Sequence, residues 1–142
     1  MTKTILAGVA FSALLAFAST SFAAVIEYGA DLKASSEVPA NASTGTGQLV
    51  ASYDTATKKL SYAVIYSGLT GNATMAHFHG PAAAGANAGV VVPVKEMTPN
   101  TLRGEATLTD AQAADLAAGK WYFNIHTAAN KGGEIRGQVL KK

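Results

Sequence analysis

Gln48-Leu49-Val50-Ala51-Ser52-Tyr53, Asp54-Thr55-Ala56-Thr57-Lys58 and Lys59-Leu60-Ser61-Tyr62-Ala63-Val64-Ile65-Tyr66 run consecutively, and the fold is legible in them. In the last piece Leu60, Tyr62, Val64 and Tyr66 alternate with Ser61, Ala63, Ile65 and Ser67, the two-residue period of a strand with one buried face. The polar segment Asp54–Lys58 between two such runs predicts a hairpin. Similar short runs, parted by Gly, Pro, Asn and Asp, recur on both sides: Val25–Lys33, Ala73–His79, Val90–Lys95, Thr101–Leu108, Lys120–Thr127 and Glu134–Leu140. Pro93 marks Val90–Lys95 as an edge strand or a bulge. One helix is predicted, Asp110–Ala118, with Thr109 as N-cap and Gly119 at its end. The whole reads as an all-β protein, an antiparallel Greek-key sandwich or barrel with one short helix.

The 142 residues are one domain's worth, and the first 23 read as a signal peptide preceding it. Lys3 gives a small positive start, Ile5–Ala18 is apolar apart from Gly8 and Ser12, and Ser21-Phe22-Ala23 places small residues where a signal peptidase reads. The run is shorter than the ~20 apolar residues of a spanning helix. Cleavage after Ala23 leaves a domain over 24–142, periplasmic or secreted, with no membrane span. That domain keeps ten basic and nine acidic residues, close to neutral, and lacks the basic stripe of a nucleic-acid binder. There is no cysteine, which excludes disulfides, thiol catalysis, thiolate metal sites and blue-copper ligation.

The chain has three histidines, His77, His79 and His126, all in predicted strands. His77 and His79 are two apart and share a face with Met75, opposite Ala76 and Phe78. In the penultimate strand Trp121, Phe123 and Ile125 form one face; Tyr122, Asn124 and His126 form the other. If these strands are neighbours, the three rings form a cross-strand trio on the surface, because paired side chains lie roughly 5 Å apart. Three imidazoles without cysteine suit a single copper ion, with zinc or no metal as the alternatives. Met75 would add a soft donor favouring Cu(I), and Asn124 would orient a histidine from behind. Arg136 either neutralises Glu134 or a neighbouring carboxylate, or steers anions toward a metal. Glu37, in a loop, reads as a salt-bridge or capping residue, and Tyr122 as a surface aromatic.

No Gly-x-Ser-x-Gly elbow and no P-loop occurs. The turn-rich Gly85–Gly89 is no phosphate cradle, and a histidine brace would need histidine where Ala24 stands. Nothing in the spacing points to a paired-carboxylate hydrolase.

Four stretches, Leu32-Lys33-Ala34-Ser35-Ser36-Glu37-Val38-Pro39, Ala76-His77-Phe78-His79-Gly80-Pro81, Tyr122-Phe123-Asn124-Ile125-His126-Thr127 and Gly133-Glu134-Ile135-Arg136-Gly137-Gln138-Val139, resemble the CHRD domain, named for chordin and found in many bacterial exported proteins. The resemblance implies an immunoglobulin-like β-barrel without implying an activity. More distantly the chain is similar to copper/zinc superoxide dismutase: His77-Phe78-His79 resembles its strand with two copper ligands, His126 its last copper ligand, and Arg136 its active-site arginine. The bridging histidine, the zinc ligands and the disulfide have no counterpart. The expectation is therefore a copper-binding exported domain for storage, delivery or tolerance. The alternatives are a metal-free structural or interaction module with an envelope protein partner, and a superoxide-consuming redox enzyme.

Overall fold

A computed structural model describes residues 23–142; apart from Ala23, the signal-peptide reading lies outside the described residues. The chain runs β1 (Val25–Lys33), a single 3-10 turn (Ala34–Ser36), β2 (Thr46–Asp54), β3 (Lys59–Ser67), β4 (Ala73–His79), β5 (Val90–Pro93), β6 (Thr101–Thr107), α1 (Asp110–Ala117), β7 (Trp121–Thr127) and β8 (Ile135–Lys141). All strands join one antiparallel sheet, in the order β5-β4-β7-β8-β1-β2-β3-β6. β1, β2 and β3 form a meander, after which the chain crosses to β4 near the far end of the order. β5, the strand with Pro93, is an edge, where a missing N–H costs no ladder bond.

The sheet curls on itself. Tyr62 of β3 meets Phe78 of β4 edge-on, with ring centroids 5.0 Å apart, although the two strands stand near opposite ends of the order. Phe78 also packs against Trp121 and Phe123, and all three are fully buried. Truncating such a ring to alanine typically costs about 3–5 kcal/mol. The hairpin read from the sequence forms, with Leu49 opposite Val64 and Ala51 opposite Tyr62. Asp54 Oδ1 fastens its turn by accepting from the Ala56 and Thr57 amides. α1 starts at a capping box: Gln112 N donates to Thr109 Oγ1 at 3.2 Å and Thr109 N to Gln112 Oε1 at 2.9 Å. Such a cap contributes about 1 kcal/mol. Gly119, at φ +69°, takes the left-handed conformation that lets the chain leave the helix. Among the described residues no helix is long and apolar enough to cross a membrane.

β7 departs from simple alternation, since all seven of its residues are buried. Trp121, Phe123 and Ile125 face the barrel interior. The other face is covered by the Gly/Ala-rich segment between β4 and β5. Ala82 N donates to Lys120 O, Gln138 Nε2 to Ala82 O, and Ala88 N to the Tyr122 hydroxyl, so the segment lies clamped over β7 and β8. Tyr122 is accordingly buried, not a surface aromatic.

Candidate metal centre

The β4–β7 register brings the sequence's candidate residues together. His77 stands opposite Asn124, His79 opposite Tyr122 and Met75 opposite His126. The three histidines thus neighbour Asn124: His77 directly across from it, His79 on its cross-strand diagonal, and His126 two residues along β7 on the same face. The rings tilt inward, and one nitrogen of each lies within 4.8 Å of the others, so this group can hold a metal ion. His77 Nδ1 is 3.2 Å from His126 Nε2. His79 and His126 are 8% and 7% exposed, so the trio is a half-buried cluster rather than the surface site expected.

Backbone carbonyls fix the tautomers of two rings. His79 Nδ1 donates to Ala88 O at 3.0 Å and His126 Nδ1 to Lys131 O at 2.9 Å. A carbonyl only accepts, so each Nδ1 carries the proton and each neutral ring presents a lone pair at Nε2. Both Nε2 atoms lie 3.0 Å from Asn124 Oδ1. Burial lowers the pKa of His77, helped by the neighbouring His126 and His79. Burial also lowers that of His79, against the Ala88 and Asn124 oxygens beside its nitrogens, which favour the charged form. Neutral rings are the ones that ligate metals.

Met75 shares the histidines' face and is nearly half exposed. Arg136, opposite Asn124 on the β8 side, is 2% exposed. Its guanidinium lies 3.4 Å from the Tyr122 ring centroid, and that ring stacks on His79 at 4.7 Å and 3°. It donates to Asn87 Oδ1 and Ala86 O. A guanidinium so enclosed braces Tyr122 and the covering loop, and it makes no salt bridge with Glu134.

Glu134 stands apart from the histidines. It precedes β8 where Gly133, at φ +129°, turns the backbone, and its carboxylate is enclosed by Ser43, Thr70, Thr127 and Asn130. Burial pushes its pKa up, but those hydrogen bonds outweigh burial and hold it at about 2. Glu37 neither forms a salt bridge nor caps a helix with its side chain. It is 5% exposed, its Oε1 has no hydrogen-bond partner, and burial raises its pKa to about 7 against the opposing effects of Arg136 and Asn124. Its loop position gave no sign of this, because a loop's burial depends on what folds over it.

Comparison with protein families matches residues 28–139 to the CHRD domain, and the chain belongs to that family. No curated protein and no solved structure gives a match.

Proposed function

We propose that this CHRD domain is an exported copper-binding protein that holds one ion through His77, His79 and His126, for storage, delivery or tolerance. The observation that carries the reading is the fixed tautomer pair: two backbone carbonyls hold the Nδ1 protons, so two Nε2 lone pairs meet the Asn124 oxygen with no proton between them. Electron pairs facing one another at 3.0 Å repel, and a cation among them removes the repulsion. Imidazole nitrogen ranks Cu(II) above Zn(II) in affinity, which favours copper where copper is available. Export rests on the signal-like segment 1–23. The enclosed Arg136 gives no support to a superoxide-consuming activity.

Metal analysis of untagged protein, followed by Cu(II) titration beside the triple His77→Ala, His79→Ala, His126→Ala variant, tests this. One equivalent in the wild type, lost in the variant, is the expected result. Equal uptake by both overturns it and leaves a metal-free envelope module as the better reading.

A further inference from the structure

The three histidines leave one neighbour unexplained: a side-chain oxygen beside two of their rings. Asn124 Oδ1 is 3.0 Å from His79 Nε2 and 3.0 Å from His126 Nε2, and His126 Nε2 is 3.2 Å from His77 Nδ1. Donors bound to one ion at about 2.0–2.1 Å stand about 2.9–3.4 Å apart when the angles between them lie between a right angle and the tetrahedral angle. The amide oxygen thus stands from two of the rings at the spacing of a ligand beside ligands.

A primary amide can present either its oxygen or its nitrogen. With nitrogen toward the rings, Nδ2 would donate to both Nε2 lone pairs and no cation would be needed. The buried carboxyl of Glu37 opposes that orientation. A Cβ at Gly133 would run into Glu37 Oε1 and would lie 2.7 Å from Asn124 Nδ2, so the glycine leaves the space in which the carboxyl faces the amide nitrogen. Turning the amide over would replace the donor facing the buried Glu37 carboxyl, whose Oε1 has no hydrogen-bond partner, with an acceptor.

We propose that Asn124 supplies the fourth donor of the metal centre through its side-chain oxygen, and that Glu37 is the positioning residue that keeps this oxygen turned toward the histidines. The proposal rests on the three-histidine reading and deepens it. A nitrogen-and-oxygen set is a harder environment than three imidazoles with the Met75 thioether, so the site is matched to a divalent ion, Cu(II) or Zn(II), rather than Cu(I).

Co(II) is the probe, because its visible d–d bands report the number and kind of donors independently of any activity. Untagged wild type, the triple histidine variant, Asn124→Ala, Asn124→Asp and Glu37→Leu are titrated with Co(II), with circular dichroism of each metal-free protein to establish folding. Binding by the wild type and none by the triple variant sustains the histidine reading; no binding by the wild type overturns both readings. Given wild-type binding, Asn124→Ala should weaken Co(II) roughly 10–100-fold and alter the d–d bands. Asn124→Asp, which keeps an oxygen donor, should recover affinity, and Glu37→Leu should lose part of it with a milder spectral change. Wild-type affinity and bands in Asn124→Ala overturn the fourth donor while leaving the three histidines intact, as does a folded Asn124→Asp that fails to recover binding. Wild-type affinity in Glu37→Leu overturns the positioning role.

Discussion

Two buried carboxylates lie on either side of Gly133 and are treated in opposite ways. Glu134 is fully enclosed and accepts five hydrogen bonds: from the Ser43 hydroxyl, the Thr70 amide and hydroxyl, the Thr127 hydroxyl and the Asn130 side-chain amide. It ties the segments before β2 and after β3 to the β7–β8 turn. Glu37 is almost as deeply buried yet has an unpartnered oxygen, Arg136 in the vicinity, and Asn124 and the histidines beyond. The first carboxylate is saturated with donors and serves the fold. The second is left short of them beside the candidate metal centre. Burial alone therefore distinguishes neither role; the count of donors does.

Removing Glu134 should have the largest effect. Glu134→Ala strands the buried Thr127 hydroxyl and the other donors, and a loss of about 3–5 kcal/mol is expected in urea unfolding at pH 7. A loss below about 1 kcal/mol would dissolve the contrast. Acid provides the same test without mutation. A carboxylate held at about 2, below its ordinary 4.5, contributes stability that is complete above pH 4.5 and lost as pH falls toward 2. The unfolding midpoint should drop through that window in wild type and less steeply in Glu134→Gln.

Gly133→Ala adds a Cβ at φ +129° and against both Glu37 and Asn124, so about 2–3 kcal/mol of destabilisation is expected, with weaker Cu(II) binding. Unchanged copper affinity in that variant would separate Glu37 from the metal centre. Glu37→Gln should act in the opposite sense to Glu134. An acid raised from 4.5 to about 7 has its full stability below pH 4.5 and loses it as pH rises through 7. The metal-free Glu37→Gln protein should therefore gain on wild type across that range, by about 1–2 kcal/mol after solvent screening, as read by thermal unfolding against pH. The smallest effect belongs to a single donor: Ser43→Ala, which removes one of five, should cost about 1 kcal/mol in urea.

Much of this was legible in the sequence. The bounds of β1 and β4 follow from periodicity, the others to within one or two residues, and the Thr109 cap from the residue types at its position. The common face of His77 and His79 follows from their spacing, and that of Asn124 and His126 likewise. The cage around Glu134 was not legible, because its donors Ser43 and Thr70 are separated from it by 91 and 64 residues. Nor were the stack of Arg136, Tyr122 and His79, or the burial of the histidines, since a Gly/Ala-rich loop without periodicity covers them.

By itself the sequence determined which residues share a face, because the pleat of a strand has a period of two wherever the strand ends up. Only the tertiary structure decided that β4 and β7 are neighbours, which ring nitrogens keep their protons, and which buried carboxylate goes short of donors. Those depend on carbonyls, hydroxyls and loops contributed by distant segments, and no local pattern records where the chain will return.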